Sequence, residues 1–192
     1  MIRRTAIATL AFAAGFAISP FVMPHLQAVL SEHPRQPYAG QEQRQISSLS
    51  RDDISALENG EGWGLAKPAE LNGFPGPLHI LELSEQLELE ERQKLAVEAA
   101  FNTMKAKARE LGNALIEAEA SLDAAFEQQI ATPELLAERL ALTEEIRAAL
   151  RAVHLSAHLQ VTPLLSDNQK RRYAELRGYG AGGDGHGGHE RH

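Results

Sequence analysis

From Glu90 to Ile130 the chain reads EERQKLAVEAAFNTMKAKARELGNALIEAEASLDAAFEQQI, with one glycine, Gly112, and no proline. Its apolar positions are Val97, Phe101, Met104, Ala108, Leu111, Leu115, Ala118, Leu122 and Ala125, spaced by alternating steps of four and three. A stripe that returns every 3.5 residues is a heptad seam, so the stretch predicts one long helix with a partner lying along it. At about 1.5 Å per residue the helix would be on the order of 60 Å long, too long to be buried on all sides in a small domain. Gly112 falls mid-helix. It permits a bend or the close approach of another segment, and it is equally compatible with a tolerated surface glycine.

The same dearth of breakers extends outward. Residues 78–177 hold only Gly112, Pro133 and Pro163. Both prolines follow a threonine, and Thr-Pro suits an N-cap and first helical position, so each is expected to start a helix. Thr132-Pro133 would turn the chain into a second long helix over 133–162, with a seam of Leu136, Ile146, Leu150, Val153, Ala157 and Val161. Two long helices joined by so short a turn are antiparallel neighbours. At 100° per residue Leu155 and Leu159 fall on the side opposite Val153 and Ala157, and Arg147, Arg151, His154 and His158 form a basic stripe between the two faces. A helix apolar on two faces needs a second partner, which could be the last helix, a second subunit or an unfolded client. A short helix is expected over 78–87 and a last one over 167–176.

Upstream, Ser50 caps a short helix through Leu57 that stops at Asn59-Gly60. Residues 60–77 hold five glycines and three prolines, yet Trp63, Leu65, Leu71 and Phe74 recur among them, so an ordered loop pinned onto the helices is expected. Residues 29–46 are polar and read as flexible. Residues 1–28 run basic (Arg3, Arg4), then apolar, then small at Ala28. That is the layout of a secretory signal peptide, the alternative being an uncleaved anchor in the inner membrane. Export would carry the chain across the membrane. Residues 178–192 carry seven glycines and read as a disordered tail. The domain plan is thus 1–28, 29–77, a helical domain at 78–177, and 178–192.

Composition excludes several functions. The chain has no cysteine, so thiolate metal sites, disulfides and cysteine nucleophiles are ruled out. A net charge of −7 and few aromatic residues argue against nucleic-acid binding. No phosphate-binding loop and no Ser/His/Asp arrangement is suggested, so no enzyme is expected and no cofactor is required.

Leu165-Ser166-Asp167-Asn168-Gln169 is a capping box in which Ser166 accepts from the amide of Gln169 and Gln169 reaches back to the amide of Ser166. Leu89-Glu90-Glu91-Arg92-Gln93 keeps the leucine and the glutamine but has Glu90 in place of the capping hydroxyl. On Leu89, Gln93, Leu165, Ser166, Gln169 and the helices between them, residues 78–177 resemble the Spy/CpxP family of periplasmic chaperones and heavy-metal sensors, whose members carry two L-T-x-x-Q motifs. Ser166 stands where that motif has threonine. The resemblance implies an all-α fold: a long antiparallel helical hairpin with short flanking helices, pairing into a dimer that forms a curved cradle.

Three functions are then in view. The first is a periplasmic, ATP-independent chaperone or envelope-stress protein, with unfolded clients held by Leu155 and Leu159 and attracted by Arg147 and Arg151. The second is a heavy-metal sensor. His154 and His158, four apart, can face one ion, and His186, His189 and His192 could add ligands for Zn, Ni, Co or Cu in the tail. Two helix histidines need a third donor, such as His79, His33, a carboxylate or another subunit, and the arginines beside them would repel a cation, so a solvated or partly packed polar stripe is the favoured reading. The third is a coiled-coil adaptor restraining a membrane-bound sensor protein, touching the membrane itself only if the N-terminal segment stays on.

Overall fold

The computed structural model describes residues 36–179. The expected signal peptide and the tail with His186, His189 and His192 lie outside the described residues. The chain divides into two compact units at Gly40. Of the first, residues 36–40 form a turn closed by the Ala39 N–H donating to the Gln36 carbonyl. Everything below belongs to the second.

That unit is all-α. Its elements are α1 (Arg51–Asn59), α2 (Lys67–Glu70), α3 (Pro77–Glu82), α4 (Glu91–Glu127), α5 (Pro133–Val161), a 3₁₀ turn (Thr162–Leu164) and α6 (Asp167–Leu176). No described helix is long and apolar enough to cross a membrane.

The two long helices pack along each other. Val97 and Ala100 of α4 share a core cluster with Val161 of α5, and Leu115 shares another with Leu150. Early residues of one helix thus meet late residues of the other, and α5 runs back along α4. Every position of the α4 seam is buried or half-buried. The turn between the helices closes with Gln129 in the left-handed region (φ 56°), and the Thr132 hydroxyl accepts from the Leu135 N–H at 3.2 Å to cap α5 ahead of Pro133.

α1 is held at both ends by its own sequence. Ser50 Oγ accepts from the Asp53 N–H (3.1 Å), Asp53 Oδ2 accepts from the Ser50 N–H (2.9 Å), and Gly60 ends the helix in the left-handed conformation (φ 65°). The helix lies against α4 at Gly112. A Cβ there would come 2.9 Å from the Leu57 carbonyl carbon, so the mid-helix glycine serves a close approach rather than a bend. Ile46, Leu49 and Leu57 complete the core cluster of Ala108, Leu115 and Leu150.

Four expectations change. Ile46, at the end of the stretch read as flexible, is buried, because it fills the core beneath α1. The loop over 60–77 contains a short helix, α2, with Pro68 in its first turn. The helix expected over 78–87 ends at Glu82; the chain then turns through Glu88 (φ 49°), which carries Leu87 into the core before α4 begins. Thr162-Pro163 does not start a helix. Thr162 ends α5, its hydroxyl donating back to the His158 carbonyl at 2.7 Å, and Pro163 sits in the 3₁₀ turn before the true cap at Ser166.

Candidate functional site

The two capping motifs meet. Each glutamine first serves its own helix: Gln93 Oε1 accepts from the Glu90 N–H (3.0 Å) and Gln169 Oε1 from the Ser166 N–H (2.9 Å). The side-chain amides then bond each other, Gln93 Nε2 to Gln169 Oε1 at 2.9 Å and Gln169 Nε2 to Gln93 Oε1 at 3.0 Å. Their remaining protons go to main-chain carbonyls, Gln93 to Leu164 (2.7 Å) and Gln169 to Leu87 (3.2 Å). Every step on one side has its counterpart on the other, so the join has local two-fold character. It satisfies the amides of both side chains and fixes the start of α6 to the start of α4. Leu165 is buried beside the join and Leu89 packs at the edge of the same cluster. Ser166 keeps its capping role, accepting from the Gln169 N–H at 3.3 Å. Glu90 in the first motif leaves the glutamine half of the pattern intact.

The basic stripe of α5 does not stay together. Arg147 turns inward to the buried carboxylate of Glu119, whose other oxygen accepts from Ser48 Oγ at 2.8 Å. Its guanidinium also lies 5.5 Å from the centre of the Trp63 ring, and the Trp63 N–H donates to Asp53 Oδ1 at 2.7 Å. Hydrogen bonds from Ser50 and then Trp63 hold the Asp53 carboxyl below the usual carboxylate range. Arg151 is exposed, Leu159 is 59% exposed and Leu155 is half-buried. His154 and His158, read from sequence as a solvated or partly packed polar stripe, are both buried, because the segment around residues 59–79 closes over them.

Beneath that segment is a cavity of about 670 Å³, lined among others by Trp63, Leu71, Phe101, Met104, His154 and His158. His158 Nδ1 lies 2.7 Å from the Phe74 carbonyl, which can only accept, so Nδ1 carries the proton. The Glu70 carboxylate is 3.8 Å from the same nitrogen. Its other oxygen accepts from the Tyr173 hydroxyl at 2.6 Å and lies 3.5 Å from the Arg177 guanidinium. Burial, then the hydrogen bond to Glu70, keeps the Tyr173 phenol protonated far above its ordinary range. Burial, with a smaller push from His158, lowers the pKa of His154, which is therefore neutral. Among the described residues, no group of three or more His, Asp or Glu side chains is arranged to hold a metal ion. His79, a possible third donor by sequence, is 2.7 Å from Glu82.

Sequence reasoning missed Glu70 and Tyr173. A signal existed for both. Glu70 is the sole acidic residue from Gly62 to Pro77, and Tyr173 is the one aromatic in a charged helix. Compared with known proteins, the chain matches no family model, no curated protein and no solved structure.

Proposed function

We propose that this chain is an exported, ATP-independent chaperone that holds unfolded segments on the outer faces of a long antiparallel hairpin, two copies forming a curved cradle. The observation that carries the reading is the set of large apolar side chains left in solvent on the long helices: Leu95, Phe126, Leu140, Leu142 and Leu159, each more than 40% exposed. Contacts to such side chains are individually weak and have no sequence preference, which suits transient holding of many clients without nucleotide-driven release. Arg151 keeps its charge in solvent on the helix that bears Leu159 and adds long-range attraction. Arg147 is committed to Glu119 and plays no part in this surface. The reciprocal glutamine join supports the resemblance to the Spy/CpxP family, because it gives both recognisable motifs one shared task.

The test is suppression of light scattering by a reduced, denatured client at equimolar protein. The full chain should suppress it. A Leu140→Ser/Leu142→Ser/Leu159→Ser variant should lose most of the effect with little change in melting temperature, since these side chains are outside the core. No suppression by the parent protein ends the chaperone reading. Light scattering after size-exclusion should show a dimer at micromolar concentration, and a monomer removes the cradle.

A further inference from the structure

The segment that closes over His154 and His158 holds two Asn-Gly pairs, Asn59-Gly60 and Asn72-Gly73. Asn-Gly is a chemically labile sequence. The glycine nitrogen can attack the carbonyl carbon of the asparagine side chain, because glycine has no Cβ to stand in the way. By sequence the two pairs are equivalent. The fold makes them different.

Asn59 is the last residue of α1. Gly60 is buried, its N–H donates to the Leu57 carbonyl at 3.1 Å, and a Cβ on it would come 2.8 Å from the Lys105 carbonyl oxygen. The nitrogen is occupied and the pair is clamped between α1 and α4, so attack would first have to break the helix cap. Asn72-Gly73 lies in the turn after α2, with both residues exposed. Among the described residues nothing accepts from the Gly73 N–H, and a Cβ there would meet open space. The turn needs glycine at this point (φ 82°), so the residue that makes the turn also leaves its nitrogen unshielded. The Asn72 side chain is restrained by a single bond, Nδ2 donating to the Pro68 carbonyl at 2.7 Å. A neutral hydrogen bond in solvent slows the reaction about tenfold at most.

We propose that Asn72 is a site of spontaneous modification whose product loosens the cover over α5. The Gly73 nitrogen bonds to Asn72 Cγ, its proton leaves with the side-chain nitrogen as ammonia, and a succinimide ring closes. Water then opens the ring, its hydroxyl going to one carbonyl carbon and its proton to the nitrogen. Opening at Cγ restores the main chain with a carboxylate at position 72. Opening at the main-chain carbon leaves an isoaspartyl link, which routes the chain through the side chain and lengthens it by a methylene. Either product loses the donor that bonds Pro68. The isoaspartyl link also stands two residues before Phe74, whose N–H donates to the Ala69 carbonyl at 3.0 Å and whose carbonyl accepts from His158 at 2.7 Å. A longer path from Ala69 to Phe74 puts those two bonds out of register. The reaction needs only water, so it is independent of the chaperone reading.

The full chain is kept in mildly alkaline buffer, sampled over days and digested, and the peptides bearing each pair are followed by mass spectrometry. In the folded chain the Asn72 peptide should deamidate about tenfold or more faster than the Asn59 peptide, with isoaspartate among its products. In urea, where both turns are lost, the two rates should converge. Equal rates in the folded chain, or a faster Asn59, would overturn the proposal. Hydrogen exchange then reads the cover. The Phe74 amide should exchange about tenfold or more faster in the isoaspartyl fraction than in fresh protein, the scale of one lost hydrogen bond. Asn72→Gln, which would have to close a larger ring, should keep its exchange rate through the same incubation. Unchanged exchange at Phe74 in the isoaspartyl fraction would sink the loosening.

Discussion

At the scale of single residues, Gly112 shows two opposed effects with a clear winner. Ala is the better helix former by about 1 kcal/mol. Its methyl, however, would press on the Leu57 main chain, which no rotamer change can relieve. Overpacking costs about 1–3 kcal/mol, so the net effect of Gly112→Ala should be a loss of up to about 2 kcal/mol in urea denaturation rather than a gain. His154 gives a pH dependence. In the unfolded chain its ring titrates near 6.5, and burial lowers that value in the fold. Above about pH 6.5 both states are neutral and stability is level in this respect. Below it the unfolded chain binds the proton first, so stability falls until the native ring also protonates. His158 on the same helix and Glu70 on α2 share this environment. The melting temperature should therefore drop between about pH 7 and 5, and His154→Gln should flatten part of that drop. Both residues were visible in the sequence, Gly112 as a break in a clean pattern and the histidines by their four-residue spacing. The close approach at Gly112 was one of the readings the sequence left open, and the full burial of the histidines was not legible, because each is decided by a segment distant in sequence, Leu57 for one and residues 59–79 for the other.

At the scale of elements, what could be read locally was read well. The α4 seam, the Ser50 and Thr132 caps and the Ser166 box are all short-range patterns, and the structure places each as a helix face or helix start. Thr162-Pro163 misled because the same dipeptide serves a cap or a 3₁₀ turn, and here the Thr162 hydroxyl bonds back to the His158 carbonyl instead of capping forward. The pairing of Gln93 with Gln169 was beyond local pattern altogether, since 76 residues separate them. It predicts coupling. Gln93→Leu and Gln169→Leu should each cost about 1–3 kcal/mol, because each strands the other amide in a half-buried place. The double variant should cost clearly less than the sum, and a double-mutant cycle by urea denaturation measures the difference. Additivity would mean that the two amides act only as separate caps.

At the scale of the whole molecule, the described chain is a long helix pair with a cover laid on it, and two core clusters lie along its length. The cover turns one face of α5 inward and makes a cavity there, while the leucines beyond it stay in solvent. The two long helices thus carry one surface beneath the cover and another in solvent. The glutamine join lies at the end of this rod remote from the α4–α5 turn, and that position has a kinetic consequence. Folding that starts at the turn brings Glu119 to Arg147, then Leu115 to Leu150, then Val97 to Val161, each contact shortening the loop left for the next. The glutamines close last, as a latch on a zipper already drawn. Their loss should leave the refolding rate nearly unchanged and raise the unfolding rate by almost the whole stability change, which stopped-flow chevrons of Gln93→Leu can read. Such a latch sets how long each folded molecule lasts rather than how quickly it forms.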